Sequence, residues 1–219
     1  MATTSQASAL AALDALVDDA AVGRHPQVLL CCASAHALEG DYPRALSLCH
    51  GGSPQHLELL ALSVQVLLAM NRSDVAERSV AAMSALDDDA TLTQLAGAWV
   101  HLSRGGGKAQ DAMYTCQELG DKYCWTPKLH VAAACAYCLM GQHDEGERHL
   151  AEALTLAPND PDVIANLVVA AMHLGRRSSP KVRTWLAQLK SSGHPHPLLA
   201  KQTECEAAFE AAVAALEAA

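Results

Sequence analysis

Glycine stands at positions 141 and 175, 34 residues apart, and each time it closes an apolar run with a helical period. Leu139-Met140-Gly141 ends the run that begins near Leu129, and His173-Leu174-Gly175 ends the one that begins near Asp162. Glycine enters the left-handed conformation of a helix C-terminus without the steric cost of a Cβ, so each is read as a helix stop. A second apolar-periodic segment, Glu145–Leu156, follows Gly141 almost at once, with Asp144 placed to cap it. Pro158-Asn159-Asp160-Pro161 then closes that segment. The unit is a helical hairpin carrying its own stop signal.

One hairpin cannot bury its apolar face alone, so the fold depends on repetition. Leu38-Glu39-Gly40-Asp41-Tyr42-Pro43-Arg44-Ala45-Leu46 reads as the same turn, and Asn71-Arg72-Ser73-Asp74-Val75-Ala76 is a further copy, 31 positions after Gly40. A looser copy lies at Arg104–Ala112. A helix–turn–helix unit with a period of about 34 residues has the tetratricopeptide pattern. In the Lys128–Pro161 unit the small Ala133, Ala134 and Ala153 mark close helix approach, and Tyr137, Leu150, Leu154 and Leu156 supply bulk around them. Gly146 falls where such repeats carry alanine, which weakens the start of its helix slightly. The expected fold is all-α, a solenoid of tetratricopeptide-like helical hairpins with a C-terminal capping helix.

The expected organisation is a disordered stretch 1–8, then a single domain 9–219 with hairpins at about 26–50, 56–86, 90–121, 127–158 and 161–190 and a capping helix at 198–216. Ala9–Val22 reads as one amphipathic helix, with Leu10, Leu13, Leu16 and Val17 opposite Asp14, Asp18 and Asp19. Gly51-Gly52-Ser53-Pro54 and Ser191–Pro197 are read as breaks between hairpins, Asp87-Asp88-Asp89 as the cap of the helix that follows, and Ser179-Pro180 as a helix start. With 51% hydrophobic but only 4% aromatic residues among 219, the core must be built from Ala and Leu, which brings helices close together.

Composition excludes several function classes. A net charge of −9 without a block of Lys and Arg offers no footprint for phosphate backbones, so nucleic acid is not an expected partner. No apolar run reaches the roughly 18 to 20 residues that span a bilayer, so no direct membrane insertion is expected. Cys31, Cys32, Cys49, Cys116, Cys135 and Cys138 lie within helical apolar patterns, where free cysteine acts as a small hydrophobe. Cys135-x-x-Cys138 has the form of half a zinc site or a redox motif, but no second pair stands at zinc-finger spacing. The eleven histidines, among them His143, His149, His194 and His196, fall mostly at helix ends and turns and are read as capping or surface residues. Gly105-Gly106-Gly107-Lys108 has the look of a phosphate loop, yet a helix precedes it and Ala109 follows the lysine. No catalytic triad or carboxylate pair can be placed by spacing, so neither catalysis, cofactor nor metal is expected.

A binding module remains. In such repeats the first helix of each hairpin lines the concave groove. Setting Tyr137 in register places Val131, Cys135, Cys138 and Leu139 on that side, followed by Ala165, Val169 and Met172 in the next repeat. These are apolar, whereas a clamp for a peptide carboxylate would need several Lys, Arg and Asn. Only Lys128 and Asn166 qualify. Two hypotheses arise from these residues, a generic adaptor or co-chaperone gripping a peptide in its groove and a small metal- or redox-active helical protein; a third comes from a resemblance.

The most specific stretch is Asp89-Ala90-Thr91-Leu92-Thr93-Gln94-Leu95-Ala96 with Ala98-Trp99-Val100, followed by Gly106-Gly107-Lys108 and Gln110-Asp111-Ala112. It resembles the epsilon-subunit family of coatomer, the coat complex of Golgi-derived transport vesicles. Asn166-Leu167-Val168, His173-Leu174-Gly175, Leu186-Ala187-Gln188-Leu189-Lys190 and His196-Pro197 continue the likeness, which covers roughly Val28 to Leu216. Members of that family carry further N-terminal repeats, so this chain is expected to begin inside them. The resemblance implies a non-enzymatic coat subunit. It also implies binding to the C-terminal region of coatomer's alpha subunit, peripheral attachment to Golgi membranes through the coat, and a role in Golgi-to-ER retrieval and intra-Golgi transport.

Overall fold

The structure, a computed structural model, describes residues 2–51, 56–191 and 196–217. Twelve helices and no strands are found among these residues, and the fold class is an all-α solenoid of tetratricopeptide-like hairpins. Two compact units divide the chain, Met1–Thr115 and Cys116–Ala219.

The first unit holds α1 (Ala2–Asp18), α2 (Pro26–Leu38), α3 (Tyr42–Gly51), α4 (Leu57–Ala69), α5 (Ser73–Leu86) and α6 (Thr91–Arg104), and α7 (Lys108–Lys122) begins in it. α2 packs on α3 and α4 on α5, and α6 closes on both α4 and α5. Leu57, Leu60, Val64 and Leu67 of α4 meet Val80 and Met83 of α5 in one cluster, with Trp99 packed against it. α1 begins at Ala2, and Ala2-Thr3-Thr4-Ser5 continues the helix of Ala-rich residues that follows. Leu13 and Val17 pack on the cluster around Cys32 and Leu48. Leu16 is 46% exposed and is not part of that face. Asp14 is not on a solvent face either. Its Oδ1 accepts from Arg44 at 3.1 Å and faces His36 Nε2 at 3.2 Å, which ties α1 to the α2–α3 hairpin. The Arg44 hydrogen bond is the main reason the Asp14 carboxyl sits below its usual range.

The second unit holds the end of α7 with α8 (Pro127–Leu139), α9 (His143–Leu156), α10 (Pro161–His173), α11 (Pro180–Ser191) and α12 (Pro197–Glu217). α8 packs on α9, and α10 packs on α8, α9 and α11. Leu150, Ala153, Val163, Leu167 and Ala170 form the central cluster, and Trp185 of α11 leans on it. Leu156, expected to add bulk there, is 56% exposed at the helix end. Leu198 and Leu199 seat the first turn of α12 against Ile164, Ala165 and Leu189. Beyond that turn, 201–216 are exposed.

The repeat is visible in the backbone. Gly40, Asn71, Gly141 and Gly175 all have positive φ, between 57° and 82°. One residue later the amide donates back five positions in each case: Asp41 to His36, Arg72 to Leu67, Gln142 to Tyr137 and Arg176 to Ala171. This is the 6→1 bond of a helix C-terminus closed by a left-handed residue, and Asn is the side chain that tolerates that region best.

The helix starts differ more. Thr126 caps α8 by accepting from Leu129, and Asp160 caps α10 by accepting from Asp162 and Val163; a proline follows each at the first helical position. Asp144 does not cap α9. The cap position is Gln142, and Asp144 sits inside the first turn. Nor do Asp87-Asp88-Asp89 cap α6, whose cap position is Ala90; Asp87 instead accepts from the Asp89 amide within the loop. The expected breaks at 52–54 and within 192–195, with His194, lie outside the described residues.

Candidate partner groove

In the first unit, the first helices of two successive hairpins flank a cleft of about 320 Å³, lined by Ser34, Ala37 and Leu38 of α2, Leu62, Gln65, Val66 and Ala69 of α4, and Tyr42. Counted back from the positive-φ residue, Ser34, Ala37 and Leu38 hold in α2 the places that Cys135, Cys138 and Leu139 hold in α8. Leu38 is 89% exposed, an unusual state for leucine at a helix end beside an apolar cleft. A second cleft, of about 530 Å³, lies at the N-terminal ends of α2 and α4, where His25, His56 and Glu58 stand beside Leu30 and Leu59.

In the second unit the seven groove candidates divide. Leu139 and Met172 are exposed. Cys135 and Val169 are half-buried, and Cys135 Sγ lies 3.6 Å from Asn166 Oδ1, joining α8 to α10. Val131 and Cys138 are half-buried against the α8–α10 core. Ala165 is 4% exposed and packs with Ile164 and Leu189, so it belongs to the core under α11 and α12.

The carboxylate-clamp residues are committed elsewhere. Lys128 Nζ lies 2.6 Å from Asp162 and 3.3 Å from Asp160, and Asn166 donates to the Asp162 carbonyl oxygen at 2.7 Å. A peptide carboxylate would have to break these bonds and would then face two aspartates.

The cysteines do not form a reactive pair. Burial pushes the Cys135 thiol up to about 11, and burial raises Cys138 as well, so both are thiols rather than the thiolates that redox exchange needs. Cys32, Cys49 and Cys116 are buried packing residues; Cys31 is exposed on α2 and does not share that role. One cluster had no signal in the sequence. α8 and α9 bring His130, His149 and Glu152 together, although the two histidines are separated by a whole hairpin turn.

The coatomer epsilon subunit family profile matches residues 1–217. Coatomer subunit epsilon-1 of Oryza sativa subsp. japonica is 38% identical over 95% of this chain and 71% of its own length. Coatomer subunit epsilon-1 of Arabidopsis thaliana is 37% identical over 94% of this chain and 68% of its own length. The coatomer subunit epsilon of Caenorhabditis elegans is 35% identical over 79% and 57%. Among solved structures, a tetratricopeptide repeat protein from Parabacteroides merdae superposes with a TM-score of 0.77 over 91% of this chain and 77% of that one, at 13% identity. A thermophilic tetratricopeptide protein of Thermus thermophilus gives 0.70 over 84% and 98%, at 19% identity. At such identities these two establish the fold alone.

Proposed function

The chain belongs to the coatomer epsilon subunit family, and from that premise, which makes it a scaffold subunit of the COPI coat and not an enzyme, we propose that it binds the C-terminal region of coatomer's alpha subunit. The apolar face of its first helices is the binding surface, and through it the chain serves Golgi-to-ER retrieval and intra-Golgi transport. Among the described residues no helix is long and apolar enough to cross a membrane, so attachment to Golgi membranes through coat partners fits this reading. The observation that carries the groove assignment is that, in each unit taken by itself, apolar residues at the ends of first helices are exposed: Leu38 beside its cleft in the first unit, and Leu139 and Met172 in the second.

An apolar surface that holds an apolar partner element cannot accept a charge. The charge must be desolvated on binding and finds no counter-ion, at a cost of about 2 to 5 kcal/mol. Val169→Asp and Leu38→Asp test this, with capture of the alpha subunit's C-terminal region as the readout and circular dichroism and melting as fold controls. Val169 is half-buried, whereas its neighbour Leu167 is 2% exposed and packs in the core. Leu38 is so exposed that aspartate there leaves the fold intact. Both variants should lose the alpha subunit. Retained capture by folded Leu38→Asp and Val169→Asp proteins would move the partner to another face, and no capture by the unmutated chain would refute the partner.

A further inference from the structure

His130, near the start of α8, and His149, in the middle of α9, face each other with their Nδ1 atoms 3.1 Å apart. Glu152, three residues after His149 on α9, places Oε2 3.7 Å from His130 Nε2. One donor atom of each of the three lies within 4.8 Å of the others. We propose that His130, His149 and Glu152 form a binding site for one divalent transition metal ion of the zinc type, clamping α8 to α9.

The donor set decides the class of ion. Two imidazoles and a carboxylate suit zinc and its neighbours, whereas calcium and magnesium take oxygen ligands. Three protein ligands leave a tetrahedral position for water. The spacing fits as well: nitrogens bound to one tetrahedral ion at ~2.05 Å stand roughly 3.3 Å apart, close to the distance found between the two rings. Glu152 is exposed; its Oε2 lies nearest Nε2, the other nitrogen of the His130 ring, and its carboxylate must rotate toward the two Nδ1 atoms to complete the site from the solvent side.

The rings are already held in place. Trp125 stacks on His130 with centroids 4.7 Å apart and planes 28° from parallel, and Tyr137 stacks on His149 at 5.3 Å and 22°. Trp125 can lie there only because residue 120 is glycine, since a Cβ at that position would stand 2.3 Å from the indole. His130 has a side chain only 4% exposed, so ordering it costs nothing further when an ion arrives. A purely structural reading makes the pair a single N–H···N hydrogen bond. That bond uses one proton, which can pass through solvent to the Nε2 atom of the same ring, and both Nδ1 atoms are then acceptors available to one ion.

The test uses the full chain freed of metal with a chelator. Zinc is titrated by calorimetry, and cobalt serves as a spectroscopic stand-in. The expected result is one equivalent of zinc bound, a higher melting temperature, and a tetrahedral cobalt spectrum without a thiolate-to-cobalt charge-transfer band. Trp125, in contact with a ligand ring, should be quenched by copper(II) to an extent that a Trp125→Phe variant loses. His149→Gln should weaken zinc binding at least a hundredfold, and Glu152→Gln, at an exposed position that leaves the fold alone, about tenfold. Absence of a stoichiometric site, a thiolate band, or affinity unchanged in either variant would overturn the assignment.

Discussion

Gly146 occupies a place where its counterparts in the first unit, Ala45 and Ala76, are alanines with no exposed surface. A Cβ built on Gly146 would stand 2.8 Å from Cys138 Sγ and 3.2 Å from the Ala134 carbonyl oxygen. Contacts at that range lie well inside the roughly 3.5 to 4.0 Å optimum for such atoms, so α8 itself, through Cys138, excludes the methyl group. Overpacking of this kind costs about 1 to 3 kcal/mol. Alanine in a helix gains about 1 kcal/mol over glycine. Gly146→Ala should therefore lower stability by about 0 to 2 kcal/mol, against the increase expected from helix propensity alone. Cys138→Ala removes the blocking sulfur and should cost about 1 kcal/mol for the lost packing. Added to that background, Gly146→Ala should raise stability, because the sulfur no longer opposes the propensity gain and the new methyl refills part of the gap. The coupling between the two sites should be about 1 to 3 kcal/mol, favourable in the double variant. Urea unfolding of the four proteins, followed by circular dichroism with the slopes checked for equality, measures it. A Gly146→Ala protein that is more stable than the parent by the full propensity gain, or a coupling near zero, would refute the claim that Cys138 is why glycine stands there.

Ala153 is fully buried where α9 meets the central cluster, so Ala153→Arg both overpacks the hairpin and places an unpaired charge inside it; a loss of about 3 to 5 kcal/mol in a thermal or urea melt is expected. Burial is the main cause that lowers the pKa of both His130 and His149 below the ordinary imidazole value of 6.5, so the folded chain holds them neutral more readily than the unfolded one does. Their contribution is then fully present above about pH 6.5 and falls away as the solution is acidified below it. In chelator the melting temperature should drop between about pH 7 and pH 5 more steeply for the parent than for His149→Gln, the other histidines being common to both.

The hairpin ends were legible because their physics is local. A helix that must reverse needs one residue with positive φ, and few side chains tolerate it, so Gly40, Asn71, Gly141 and Gly175 announce themselves. The turn Pro158-Asn159-Asp160-Pro161 was legible for the same reason, since its prolines mark where one helix stops, although the capping role of Asp160 emerges only from the structure. Asp144 and Asp87-Asp88-Asp89 were not. Any of several neighbouring acids could serve as a cap, and the backbone around Gln142 and Ala90 decided against all of them. The groove was legible only in part. A 34-residue period identifies equivalent positions, but Ala165 meets Leu189 and the first turn of α12, a neighbour that its counterpart Val131 in α8 does not have. Position in the repeat therefore fixes the face of a helix without fixing what covers that face.

The His130–His149–Glu152 cluster marks where such reading stops. Metal-ligand motifs are recognisable when donors share one helix or one loop, because backbone geometry then sets their spacing. Here only His149 and Glu152 do, and an i, i+3 pair of this kind is common on exposed helix faces. The third donor comes from another helix, and its position is set by how closely α8 and α9 approach. That approach is governed in turn by Gly146 against Cys138, where the absence of a Cβ on α9 lets the sulfur of α8 settle, while Gly120 of α7 makes room for the indole of Trp125 that stacks on His130. Glycine at 146 thus does more than weaken a helix start: it sets the interhelix distance on which the facing imidazoles depend. The same Gly146→Ala substitution that measures packing should accordingly also weaken zinc binding, and Cys138→Ala should restore it along with stability.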